Sequence, residues 1–324
     1  MTDLFSCIPR LACRIRYLPL ALVLIMPAGI ARSQAPSTSQ NRPGEYRIKV
    51  SSNLVVLHAT AQDHKGVLVS GLDKDSFQVY EDGALQQIKY FSHEDIPVTV
   101  GLVIDNSGSM GSKRAEVISA ALAFARSSNP QDQMFVVNFN EHVRFALPDN
   151  TPFTDQVPQL EVALSKIITN GQTALYDAVA AALDHLKKGD RDKKVLIVIS
   201  DGGDNASKRK LAEIMAMAQR ADTIIYTIGL FSEEDEDRNP GVLKQLAKDT
   251  GGEVFLPQSF KEAVPICERI ARDIRNQYTI SYAPANRKQD GTYRAIQVRA
   301  SAPGHKNLSV RSRAGYRAPL VSSN

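Results

Sequence analysis

The segment Val98-Thr99-Val100-Gly101-Leu102-Val103-Ile104-Asp105-Asn106-Ser107-Gly108-Ser109-Met110 decides the fold. Val98 to Ile104 is a nearly continuous apolar run, the pattern of a strand buried on both faces in a parallel sheet. Asp105, Ser107 and Ser109 follow at alternate positions, so one carboxylate and two hydroxyls can aim their oxygens at a common centre. At the carboxyl end of a parallel strand, that centre falls in the crevice where open α/β sheets bind ligands. Hard oxygen donors of this kind suit Mg²⁺ or Mn²⁺ rather than zinc or copper.

Beyond Pro97, short apolar runs alternate with amphipathic stretches. Strands are expected at Val98–Ile104, Met134–Phe139, Val195–Ile199 and Thr223–Ile228, with a weaker one around Val254–Leu256 and an antiparallel edge at Val143–Leu147. Ile118, Ala121, Leu122 and Ala125 lie on one helical face, as do Leu175, Val179, Leu183 and Leu186. Further helical patterns cover Lys208–Gln219, Pro240–Lys248 and Phe260–Arg275. This alternation predicts an α/β fold over residues 97–276, a doubly wound, mostly parallel sheet.

The flanks, 45–96 and 277–318, are strand-like instead. Leu54 to Leu57 is apolar, Phe77, Val79 and Leu85 flank an Asp82-Gly83 hairpin turn, and Tyr278, Ile280 and Tyr282 alternate with Thr279 and Ser281. Tyr293–Val298 and Leu308–Val310 follow, with Gly291 and Pro303-Gly304 as turn signals. Neither flank is long enough to bury a core alone. The expectation is that the two form one smaller all-β, sandwich-like domain into which the α/β domain is inserted.

Residues 1–35 read as a secretory signal peptide: Arg10, Arg14 and Arg16 precede an apolar stretch from Leu18 to Ile30, broken by Pro19 and Pro27. Small residues at Gly29-Ile30-Ala31 and Ser33-Gln34-Ala35 offer cleavage sites, and an uncleaved membrane anchor is the rival reading. An exported protein is implied, whether periplasmic, secreted or at the cell surface. A polar linker, 36–44, comes next. The leader carries four arginines against Asp3, so its removal takes +3 from a formal net charge of +4. The remaining balance gives no reason to expect a nucleic-acid partner, and membrane contact only through an uncleaved leader. Cys267, left alone once Cys7 and Cys13 are gone, falls on an apolar helical face and reads as a buried thiol.

Two more elements belong with the Asp105 loop. Thr173 opens the helix carrying Leu175 and Val179, and Asp201 follows the strand Val195–Ile199. Both fall on the carboxyl face of the sheet, so Asp105, Ser107, Ser109, Thr173 and Asp201 can surround one octahedral cation. Asp-x-Ser-x-Ser, an isolated Thr and a strand-end Asp resemble the metal-ion-dependent adhesion site (MIDAS) of von Willebrand factor type A domains. The resemblance covers about residues 97–275 and all five positions. It implies Ser107 and Ser109 as direct ligands of Mg²⁺ (or Mn²⁺), Thr173 as a direct ligand in the ligand-occupied state, and Asp105 and Asp201 acting mainly through water. It also implies a protein partner offering an Asp or Glu carboxylate to the metal, as in adhesion or envelope assembly. The bland alternative is that the serines only turn the chain and Thr173 caps a helix.

Glu233-Glu234-Asp235-Glu236-Asp237 follows the strand Thr223–Ile228, is expected on the metal-bearing face and reads as a solvated, mobile loop. A second cation site or a role in rejecting acidic partners is the alternative, although the run lacks the glycine and terminal glutamate of a calcium loop. His142, His93 and His58 lack any motif partner and read as surface or cap residues. Asn205-Ala206-Ser207 and Asn307-Leu308-Ser309 match a glycosylation tripeptide that often occurs by chance. An enzyme is the competing class, since a strand-end Asp105 with Mg²⁺ suits an aspartyl phosphotransferase or a hydrolase. That chemistry needs a second Asp as general acid where Ser107 stands, so no catalytic residue is expected. A structural envelope protein, using metal for stability only, is the remaining alternative.

Overall fold

The computed structural model describes residues 54–320 apart from 166–168, 233, 234, 236 and 306. The expected leader and linker lie outside the described residues. Strands β1 (Val55–Gln62), β2 (Phe77–Glu81), β3 (Ala84–Gln86) and β4 (Ile88–Ser92) precede β5 (Val98–Asp105). Helix α1 (Arg114–Ser127), β6 (Gln133–Phe139), β7 (Val143–Phe145), α2 (Val157–Ser165) and α3 (Leu175–Leu186) follow. Then come β8 (Lys193–Ser200), α4 (Leu211–Ala221), β9 (Thr223–Gly229), α5 (Pro240–Thr250), β10 (Val254–Phe255) and α6 (Ala263–Arg275). Four strands close the chain: β11 (Tyr278–Tyr282), β12 (Tyr293–Ala300), β13 (Ser309–Arg311) and β14 (Gly315–Arg317).

The central sheet has the order β10-β9-β8-β5-β6-β7 and is parallel except for the edge strand β7. Every residue of β5 is buried, which explains its unbroken apolar character. Val98, Val100, Leu102 and Ile104 pack with α1 and α6 on one face, whereas Val103 joins α3, α4 and α5 on the other. Gly101 is required inside this strand, because a Cβ there would stand 2.5 Å from the Phe135 ring and 2.6 Å from Leu196. The expected α/β architecture is thus found. Helix α2 is an addition to the expected elements; it buries Leu160 and Leu164 in the core shared with α1 and α6, and Ala163 in the core shared with α3.

Two antiparallel sheets flank this unit, with orders β13-β1-β11-β4 and β14-β12-β2-β3. Each mixes strands from both ends of the chain: β1 pairs with β11, and β2 with β12. Leu57, Ala59, Phe77, Val79, Ile280 and Val298 share one apolar core between them. The β2–β3 hairpin turns at Asp82 (φ 48°) and Gly83 (φ 80°), the left-handed pair of a two-residue type I′ turn. Two of the histidines read as surface or cap residues are half-buried, and the His93 ring nitrogen lies 3.2 Å from the carbonyl of Asn276, the C-cap of α6. His58 is half-buried beside the Thr279 hydroxyl, with its pKa held well below the usual range by burial and by nearby Lys193 and Arg313. His93 stacks on the Tyr278 ring at 4.3 Å.

Asp273 of α6 ties the flanking sheets to the α/β unit. Its carboxylate accepts from Thr60 Oγ1 at 2.8 Å and Tyr226 Oη at 2.7 Å, and it pairs with the Arg311 guanidinium. One buried carboxylate therefore joins β1, β9, β13 and α6. Among the described residues no helix is long and apolar enough to cross a membrane.

Candidate metal centre

Adjacent parallel strands β5 and β8 end level with one another, Ile104 opposite Ile199, so Asp105 and the loop opened by Asp201 emerge side by side. Each loop turns at once. The Asp105 carboxylate accepts from the Ser107 amide at 2.9 Å, folding 105–107 into a turn that aims both serine hydroxyls across the sheet end. The Asp201 carboxylate accepts from the Gly203 amide at 3.0 Å. Gly202 is needed here: its φ is +78°, and a Cβ would lie 2.4 Å from the Asn239 carbonyl oxygen.

The hydroxyls converge. Ser107 Oγ is 3.2 Å from Ser109 Oγ, which donates to Asp201 Oδ2 at 2.6 Å. Ser107, Ser109, Thr173 and Asp201 line one cavity of about 300 Å³. Asp105 stands beneath it, 1% exposed, with its second oxygen accepting from Ser200 Oγ at 2.6 Å. Four of the five expected residues thus face a common space, and the fifth buttresses it.

Capping does not account for these hydroxyls. Ser107 precedes the short 3-10 turn Gly108–Lys113 without a side-chain cap bond to it. Thr173 lies two residues before α3, and the cap position, Ala174, has no cap bond either. The first turn of α3 is satisfied from elsewhere: Asp204 Oδ1 accepts from the Tyr176 amide and Ser207 Oγ from the Asp177 amide. The Thr173 hydroxyl therefore has no helix-capping duty.

Burial pushes the Asp105 carboxyl up to about 6, against the hydrogen bonds from Ser107 and Ser200, and the Asp201 charge pushes the same way. A buried carboxyl next to a second carboxylate, fronted by neutral hydroxyls, forms a donor set that a hard divalent cation fits. Among the described residues no group of three or more His, Cys, Asp or Glu could hold a metal, so such a site relies on hydroxyl oxygen.

Asn205 and Lys113 escaped the sequence reading, whereas Asp235 and Asp237 belong to the acidic run expected on this face of the sheet. Asn205 accepts from the Thr173 amide through Oδ1 at 2.9 Å and donates to Asp237 Oδ2 at 2.9 Å. Asp235, expected in a solvated loop, is instead 8% exposed and paired with the fully buried Lys113, Nζ to Oδ2 at 2.5 Å. Asp235 and Asp237 line the cavity with the serines. The lysine did carry a signal: it is the residue before α1, where the helix dipole disfavours a cation, so a nearby anion was to be sought.

A family model described as the von Willebrand factor type A domain matches residues 99–269. An uncharacterised protein of Borreliella burgdorferi is 24% identical over 188 residues, covering 51% of this chain and 55% of that protein. Another, from Synechocystis, is 22% identical over 187 residues, covering 56% and 42%. The chain thus spans about half the length of the curated relatives it matches. A solved structure described as von Willebrand factor type A from Catenulispora acidiphila is 15% identical with a TM-score of 0.51, covering 84% of this chain and 74% of its own. That likeness concerns the fold alone.

Proposed function

Because the chain belongs to the von Willebrand factor type A family, we propose that it is a binding protein that bridges to a partner through a divalent cation. Ser107, Ser109 and Thr173 offer hydroxyls to Mg²⁺ or Mn²⁺, with Asp105 and Asp201 holding water around it. When bound, the cation supplies a strong positive charge and a coordination position for an Asp or Glu of a protein partner. We place this activity outside the cytoplasm, as the leader suggests, in adhesion or in assembly of an envelope complex. The absence of a second Asp at position 107 favours a binding role over phosphoryl transfer.

The observation that carries the reading is the convergence of Ser107, Ser109, Thr173 and Asp201 on one cavity, with the serine and threonine hydroxyls free of capping duty. A cation that binds only the folded state stabilises it by about 2.7 kcal/mol at a hundred times its Kd. Mg²⁺ or Mn²⁺ should therefore raise the melting temperature of the whole chain, and Ser107→Ala should abolish the rise. An equal response of both proteins overturns the metal site. Partner capture that persists in EDTA, with Ser107→Ala equally competent, overturns the bridge.

A further inference from the structure

The Lys113–Asp235 pair lies at the edge of this same cavity and has no part in the five-residue donor set. Asp235 lines the space with Ser107, Ser109, Thr173 and Asp201. Its oxygens are already engaged: Oδ2 receives Lys113 Nζ at 2.5 Å and the Ser232 amide at 2.6 Å, and Oδ1 receives the Ser232 hydroxyl at 2.7 Å. Lys113 is held in turn by the Leu230 carbonyl at 2.9 Å and is 0% exposed. It closes the short 3-10 turn that carries Ser109, so the cationic latch and a proposed metal-ligating hydroxyl belong to one local piece of chain.

We infer that Lys113 withholds Asp235 from the cation, keeping a coordination position open for the partner's carboxylate; this rests on the divalent-cation reading above. Asp105 and Asp201 already match the formal charge of a divalent ion. A third carboxylate coordinating from within the chain would over-neutralise it, occupy the vacancy and repel an incoming acid. Pairing Asp235 with a buried ammonium cancels its charge and satisfies its oxygens without removing it from the wall of the site. Lys113 is thus a positioning residue that acts through Asp235.

The test uses the whole chain with Mn²⁺ as probe, reading free Mn²⁺ by electron paramagnetic resonance and bound inner-sphere water by proton relaxation. Asp235→Asn should leave Mn²⁺ affinity within about twofold of wild type, because Asp235 is not a ligand. Lys113→Met should free Asp235, tightening Mn²⁺ by about tenfold and lowering the water relaxation enhancement. Lys113→Met/Asp235→Asn should return both readings to wild type. A purely structural pair gives another pattern, with Lys113→Met weakening or not changing Mn²⁺ binding, and that result overturns the inference. So does a tenfold loss in Asp235→Asn, which would make Asp235 a ligand already. Should Lys113→Met fail to fold, Lys113→Gln takes its place, removing the charge while keeping a donor for the Leu230 carbonyl; the same tightening is expected, and its absence overturns the inference. A wild type that binds no Mn²⁺ overturns the cation reading itself; wild-type binding without the Lys113→Met gain overturns only the inference.

Discussion

Ser109 Oγ donates to Asp201 Oδ2 at 2.6 Å, joining two loops that are 92 residues apart in the chain. Both residues line the candidate metal cavity. A hydrogen bond to a charged acceptor contributes about 1.5–3 kcal/mol. Ser109→Ala should therefore cost about that much without metal and should also remove the Mg²⁺-dependent rise in melting temperature. Paired denaturant melts with and without Mg²⁺ measure both effects; a mutant that keeps the full metal response contradicts the donor set.

Gly202 and Gly66 share a left-handed backbone, with φ of +78° and +76°. They differ in surroundings: a Cβ at 202 meets the Asn239 carbonyl, whereas one at 66 meets nothing within 4 Å. Gly66→Ala should cost only the left-handed penalty, about 1–2 kcal/mol. Gly202→Ala should cost clearly more and displace Asp201, so that metal stabilisation falls as well. Parallel thermal melts of the two variants check the difference.

Lys193 is buried, donates to the Ile274 carbonyl and has its pKa lowered from 10.5 to about 8 by burial, against the pull of Asp273, Asp132 and Asp95. The folded state thus holds fewer protons than the unfolded chain between pH 8 and 10.5, so Lys193 makes stability rise with pH across that window. Cys267 works the other way above pH 9, since burial pushes its thiol up to about 12. The comparison with Lys193→Met isolates the lysine. Wild type should gain on the mutant by about 3 kcal/mol between pH 8 and 10.5, at 1.36 kcal/mol per pKa unit. A flat difference refutes the assignment.

Asp273→Ala should be among the most damaging single substitutions. It removes the shared acceptor of Thr60 and Tyr226 and leaves the Arg311 guanidinium without this partner. Breaking a buried charge pair costs about 3–5 kcal/mol. Arg311 retains Glu253 at 2.9 Å, which points to the lower end. Chemical denaturation gives the value, and a loss under 1 kcal/mol would show that the junction carries little stability.

The α/β alternation was legible because β5, β8 and β9 are buried on both faces and so are apolar over most of their length. Helix α2 was not, since its nine residues place Pro158 in the first turn and offer only Leu160, Ala163 and Leu164 as a buried stripe. The convergence of Ser107, Ser109, Thr173 and Asp201 on one cavity could be read because each lies just past a strand or just before a helix. Lys113 and Asp235 could not be paired from sequence: 122 residues separate them, and composition makes a lysine and an acidic run look solvated. Asn205 was hidden by a tripeptide that suggests a different chemistry.

Both flanking sheets need strands from opposite ends of the chain, and in one of them His58 meets Thr279, 221 residues further on. A ribosome delivers the amino end first. β1 and β4 therefore emerge with their ladder partners β11 and β13 still unmade, and β2 with only β3 beside it. The α/β unit, complete by Arg275, can fold during that interval. Closure of both flanking sheets thus waits for the strands beyond Arg275, and any truncation before β12 leaves β2 with a bare edge open to aggregation.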